Sequence, residues 1–172
     1  DRTNLQRQTL FTEADAEQSR PKAIAAADRL SKVNSEIRIE PVVADLIPSN
    51  AEELILAGEF EDPDAILHGT ANFETRFIIN DLSVKHSVAY FYAGAVGGLA
   101  MSAPFLREHS ESPCLRCLIE PPAPGTQPTC DTAGVLGPAV VVAAARQVAE
   151  VLKYLAGLGE TVNHALVRTD LL

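Results

Sequence analysis

The sequence predicts an α/β fold with a largely parallel sheet and flanking helices. Two observations carry that reading. Stretches patterned as strands alternate with stretches of helical period along the chain. In addition, 172 residues with 47% hydrophobic content suffice for one domain with a real core.

The elements follow in order. SRPKAIAAADRLSKVNSE at 19–36 is predicted as a helix. Ser19 can cap it, Pro21 suits its first turn, and Ala23, Ile24, Ala27, Leu30 and Val33 share one face. IRIEPVVADL at 37–46 is expected to be a strand, with Pro41 pointing to an edge or an irregularity. NAEELILAGEF at 50–60 is a short helix, and DAILHGTA at 64–71 is a buried strand running into a loop. NFETRFIINDLSVKH at 72–86 returns to helix. SVAYFYAGAVGGLAMSA at 87–103 holds one or two strands around a glycine turn. Residues 104–130 are rich in Pro and Ser, and 119–130 is expected to be a crossover loop within the domain. Residues 138–157 form a helix led by Pro138 and ended near Gly157, and HALVRTDLL at 164–172 is the final strand. Ligands of such sheets bind beyond the carboxyl ends of the strands, which makes the loop at 68–72 a place to look.

Composition narrows the function classes. The net charge of −9 argues against a surface built for nucleic acid or anionic lipid. The longest apolar run, AVVVAAA at 139–145, is far short of the ~18 residues of a membrane span. No secretory signal pattern is seen at the N-terminus. The three cysteines include one Cys-x-x-Cys, which favours a reducing compartment and a metal or thiol role over a disulfide framework.

Four groups of residues can carry chemistry. Arg7 and Lys22 suit phosphate oxygens: Lys22 lies in a helix's first turn, and arginine offers a bidentate fork. Taken alone, each is better explained as a solvated surface cation. Cys114 and Cys117 have the spacing of half a zinc site, and two free thiols in a loop fit the same spacing. His109 and His86 are further donors that nothing in their spacing demands. Cys130, before a Gly-rich turn, has the setting of a low-pKa nucleophile or of a buried inert thiol. Gly94, Gly97 and Gly98 are better explained by a tight turn between strands than by a phosphate loop.

The order of motifs adds to these readings. TNLQRQ (3–8) precedes a lysine-bearing helix, then GT-x-NFETR-x-x-IND (69–81), CLRC (114–117), C-x-x-AGVLGP (130–138) and a long helix. Over nearly its whole length the chain resembles the ThiF/MoeB/HesA family, bacterial relatives of ubiquitin-activating enzymes. The resemblance implies a Rossmann-like fold and one adenylating domain over 1–172. The implied activity is Mg-ATP-dependent adenylation of the C-terminal glycine of a ubiquitin-like sulfur carrier, with pyrophosphate released, in molybdopterin or thiamine synthesis or a related pathway. It places Asn4, Arg7, Gln8 and Lys22 at the ATP site, Cys114 and Cys117 as the first half of a zinc site, and Cys130 where some members link covalently to the carrier. It further implies a cytoplasmic homodimer whose ATP site takes an arginine from the partner.

Three departures accompany the resemblance. The family's first strand, Gly-rich loop and ribose-binding acid have no counterpart before Asp1, and a second Cys-x-x-Cys has none after the last strand. The resemblance therefore implies a chain truncated at both ends. Where the family reads D-x-T-D-N, this chain reads His68-Gly69-Thr70-Ala71-Asn72. Alanine has no oxygen for Mg2+, so impaired adenylation is expected. Asp81 falls down the next helix and Asp64 at the wrong end of the strand. A non-catalytic module that binds the carrier or a dimer partner is one alternative, and a tRNA-modifying dehydratase is another. The retained CLRC and AGVLGP favour the sulfur-carrier branch over the latter.

Overall fold

The computed structural model describes residues 1–56, 63–107, 112–120 and 134–172. These fall into two compact units, Asp1–Asp45 and Leu46–Leu172.

The first unit opens with a single 3-10 turn at Arg2–Asn4. Helix α1 (Glu13–Glu17) follows, held by a capping box in which Thr12 and Asp15 bond each other's backbone amides. Helix α2 spans Lys22–Val33, as its periodicity predicts. Its start differs in detail. Pro21 is the cap residue, and Ser19, two positions upstream with a φ of 50°, caps nothing. Its packing differs too: only Ala25 is fully buried, while Leu30 is exposed and Val33 is 82% exposed. Arg29 draws α1 and α2 together, donating to the Leu10 carbonyl and to the Asp15 carboxylate. The strand expected at 37–46 does not form. A strand exists by pairing; Pro41 has no N–H to pair, and Ile37, Val42 and Val43 lie exposed.

The second unit is a four-stranded mixed sheet with helices on both faces. Helix α3 (Ala51–Leu56) leads to strand β1 (Ala65–Leu67), helix α4 (Phe73–His86) and strand β2 (Ala89–Val96). β1 and β2 pair in parallel, Ile66 opposite Tyr90, so β1–α4–β2 is a crossover unit. Strand β3 (Leu99–Phe105) returns antiparallel to β2, Val96 opposite Leu99. Gly97 closes that hairpin with a φ of +55°, a conformation that suits a residue without Cβ. A short helix α5 (Leu115–Leu118) and a long helix α6 (Gly137–Leu155) precede strand β4 (Val167–Asp170). β4 pairs antiparallel to β3, giving the order β1-β2-β3-β4. Among the described strands, only β1 and β2 pair in parallel, with one further isolated parallel bridge between Gly97 and Val135. The predicted α/β layering holds, and the hairpin and β4 supply the antiparallel half.

Period-two alternation divides the core. Tyr90 and Tyr92 of β2, with Ile66, Ala103 and Phe105, pack with Phe77, Ile79 and Leu82 of α4. Ala89 and Phe91 point to the other face, against Val151 and Tyr154 of α6, and Ala139 and Ala143 pack on Ala100. One polar side chain ties α6 to the sheet. The Gln147 Nε2 donates to the carbonyls of His68 (2.9 Å) and Phe91 (2.7 Å), both bonds buried. Replacing Gln147 by Leu removes two donors and keeps most of the volume. Loss of such a buried pair is expected to cost about 2 kcal/mol. Urea denaturation checks this, and a loss below about 0.5 kcal/mol would mean that the amide does not hold the sheet end.

Candidate functional site

In the first unit, TNLQRQ folds on itself. The backbone amides of Arg7 and Gln8 both donate to the Asn4 carbonyl, at 3.1 and 2.9 Å. The Arg7 guanidinium donates to Asn4 Oδ1 at 2.6 Å and to the Thr3 carbonyl at 3.2 Å. Asn4 therefore orients Arg7. Asn4, Gln8, Arg20 and Lys22 line a cavity of about 260 Å³, together with Asp1 and Asp15. Lys22 is the first residue of α2, where free N–H groups and the helix dipole favour an anion. The Gln8 Oε1 is buried and has no hydrogen-bond partner among the described residues. Asp15 stays a carboxylate to well below the usual range, because the Thr12 hydroxyl and then Arg29 bond it. The cavity therefore holds charges of both signs.

In the second unit, β1 delivers His68 into the core. It is 2% exposed and stacks on Tyr92, ring centroids 5.6 Å apart. Burial first, and Arg76 second, push its pKa down to about 4. The ring is neutral. Its Nδ1 donates to the Ala93 carbonyl at 3.0 Å, so its Nε2 accepts from the Thr70 hydroxyl at 2.8 Å. Asn72 caps α4, its Oδ1 accepting from the Thr75 amide at 2.8 Å. The exposed Ala71 offers only its carbonyl, which accepts from the Arg76 Nη2 at 3.3 Å.

The Cys114-Leu-Arg-Cys117 turn sits on α4. Asn80 Oδ1 accepts from the Leu115 amide at 2.8 Å, and Arg116 binds both oxygens of Asp81, at 2.7 and 2.6 Å. Arg116 also lies 4.7 Å from the centre of the Phe77 ring. The two thiols are free, with sulfurs 3.7 Å apart. Burial works against ionisation of Cys114, but hydrogen bonds from Cys117 and neighbouring amides outweigh it and lower its pKa. Among the described residues, no three His, Cys, Asp or Glu side chains come together as a metal site. The pair supplies two of the four ligands a structural zinc takes.

A ThiF family model matches residues 1–172. The chain belongs to the ThiF family. It is 40% identical to the sulfur carrier protein ThiS adenylyltransferase of Bacillus subtilis, over 90% of this chain and 44% of that protein. It is 34% identical to a sulfur carrier protein adenylyltransferase of Thermus thermophilus, over 99% of this chain and 62% of that protein. The chain thus spans about half the length of these relatives. Among solved structures, Escherichia coli MccB in its complex with ATP superposes with a TM-score of 0.73 at 18% identity, covering 99% of this chain and 53% of that one. That likeness shows the Rossmann-type fold.

For this ThiF-family chain, the fold brings some expected residues together and not others. Asn4, Gln8 and Lys22 share the first unit's cavity, and Arg7 is bonded to Asn4 beside it. Cys114 and Cys117 come within thiol contact. His86 is engaged by Glu52 at 2.9 Å, while Cys130 and His109 lie outside the described residues. The residues at 68–72 do not fit Mg2+: a neutral imidazole, an alanine and an occupied cap leave no carboxylate, and a guanidinium stands beside them. Asp64, exposed just before β1, and Asp81, paired with Arg116, do not fill that gap. Arg76 is the residue that sequence patterning missed. The available signal was a cation one turn inside a helix, next to the apolar Phe77 of its buried face.

The His68 environment makes stability depend on pH. Its folded pKa lies below the ordinary value, so the unfolded chain binds the extra proton and stability falls as pH drops from about 6.5 to about 4. A single such proton contributes a slope of up to about 1.4 kcal/mol per pH unit. His68→Gln keeps hydrogen-bonding groups and removes the titration. Denaturant melts at several pH values are expected to show a shallower slope for the variant; parallel slopes would refute a buried neutral His68.

Proposed function

We propose that this protein takes part in ATP-dependent adenylation of the C-terminal glycine of a ubiquitin-like sulfur carrier, of the molybdopterin or thiamine type. The observation that carries the reading is the TNLQRQ turn: Asn4, Gln8 and Lys22 line one cavity, and Asn4 holds Arg7 in place. The named activity of the relatives in Bacillus subtilis and Thermus thermophilus supports it. In this reading residues 1–172 form one adenylating domain that works as a homodimer.

The chemistry asks for charge rather than for a base. A carrier carboxylate oxygen attacks the α-phosphorus of ATP, and the bond from that phosphorus to the bridging oxygen breaks. The products are an acyl-adenylate and pyrophosphate. Arg7 and Lys22 bind triphosphate oxygens and offset the charge that gathers on the departing pyrophosphate. Asn4 positions Arg7, and Gln8, whose Oε1 has no partner among the described residues, is assigned to a ligand donor. Cys130 is assigned to the later covalent step with the carrier. The two thiols of Cys114 and Cys117 contribute to a zinc site whose other ligands come from elsewhere.

One observation favours a second reading. With Ala71 in place of a carboxylate and Asn72 occupied as a cap, the protein acts as a carrier-binding or dimer-partner module without turnover. Carrier-dependent ATP–pyrophosphate exchange by the full-length protein separates the two. Under the first reading, exchange is robust, and Arg7→Ala or Lys22→Ala lowers it by about 100-fold or more. Under the second, exchange is absent and Ala71→Asp restores part of it. Exchange that is indifferent to both cations would sink the phosphate assignment.

A further inference from the structure

The Cys114-Leu-Arg-Cys117 turn holds two thiols close to joining. Cys117 is exposed and Cys114 partly so, and both are free. Their sulfurs stand 3.7 Å apart in hydrogen-bond contact. A disulfide needs about 2.05 Å, and the remaining gap is less than a change of χ1 rotamer moves a sulfur. The backbone places both sulfurs on one side of the turn. Cys114 is extended and opens α5, Cys117 lies three residues on, and each side chain meets the other's amide. The Cys114 amide donates to Cys117 Sγ at 3.5 Å, and the Cys117 amide donates to the Cys114 carbonyl at 3.0 Å.

The residues between the two cysteines are clamped from α4. Leu115 is 1% exposed, and its amide donates to the buried Asn80 Oδ1 at 2.8 Å. Arg116 forks onto both oxygens of Asp81 and lies over the Phe77 ring. That ion pair is half exposed and adds little to stability, yet its bidentate geometry fixes Arg116 in place. In a flexible Cys-x-x-Cys segment, closing the ring must first order the backbone. Here folding has already ordered it, and such preorganisation favours the closed form.

We propose that Cys114 and Cys117 are a thiol–disulfide exchange site, oxidised reversibly by a low-molecular-weight disulfide of the glutathione class, and that Asp81 and Arg116 are its positioning residues. Cys117, the more exposed sulfur, attacks as the thiolate one sulfur of the small disulfide; one small thiolate leaves and a mixed disulfide forms. Cys114 then attacks Cys117 Sγ, the mixed bond breaks and the second small thiolate leaves. Two cysteines are oxidised, one small disulfide is reduced to two thiols, and the two cysteine protons pass to those thiols. A sulfur in a disulfide is no longer a thiolate ligand, so this state and the zinc half-site exclude each other. The proposal requires neither adenylation nor a carrier, and its failure leaves the function proposed above untouched.

The test uses the full-length protein carrying Cys130→Ser, with and without chelator treatment, equilibrated in buffers of reduced and oxidised glutathione. The samples are quenched by alkylation and read by peptide mass. A Cys114–Cys117 disulfide that dithiothreitol reverses is expected; its appearance only after chelation also supports the exchange site, with bound zinc as its protection. Arg116→Ala and Asp81→Asn remove opposite charges. Both are expected to shift the equilibrium toward the dithiol by about tenfold, about 30 mV for a two-electron couple, while the melting temperature of the reduced protein holds. Absence of the disulfide in both samples, glutathione retained on Cys117 as a stable mixed disulfide, or shifts of opposite sign in the two variants would each overturn the proposal, the last because charge and not the clamp would then set the equilibrium.

Discussion

The second unit depends on one buried amide. Gln147 reaches from α6 and donates to two carbonyls, those of His68 at the end of β1 and Phe91 in β2. Those strands form the described parallel pair, and each ends where a ligand would lie in such a sheet. A parallel pair of three residues has few hydrogen bonds of its own. The amide, the His68 amide bonded to Phe91 and the His68 ring bonded to Ala93 together hold its carboxyl end. The loop at 68–72 then leaves the sheet in one direction, and Asn72 turns it into α4.

The electrostatics of that loop follow from the same burial. A histidine placed 2% exposed in an aromatic stack gives up its proton, because the charged form loses solvation that no acid replaces. Arg76 lies near two rings, Phe73 and Tyr92, and its hydrogen bonds among the described residues go to neutral oxygens. Stability alone does not account for such a residue, since an apolar side chain of similar size would bury at lower cost.

The two polar residues of the IND motif have a plainer purpose. Asn80 is 1% exposed and faces the Leu115 amide, and Asp81 grips Arg116 from the surface. They carry the Cys114–Cys117 turn on α4, so that two thiols far from α4 in sequence are fixed against it. The motifs quoted as separate signatures are thus physically joined. In the first unit the corresponding economy lies within TNLQRQ itself, where Asn4 bonds the backbone of two successors and the side chain of one.

Local chemistry made several features legible in advance. α2 announced itself by period, α6 by Pro138 at its start, the hairpin by its glycine turn, and the end of α6 by Gly157, whose φ is +72°. Motif order placed the chain in its family. Tertiary structure decided the rest. The strand expected at 37–46 had the composition of a strand and no partner to pair with. The direction of β3 and β4 rests on pairing between distant segments, which composition does not encode. Leu30 and Val33 had helical spacing, yet burial depends on what lies opposite. The sequence by itself determined which residue types stand at 68–76. Only the fold showed that His68 is neutral and that Arg76 has no ion-pair partner among the described residues, because charge state depends on burial and on neighbours brought from β2.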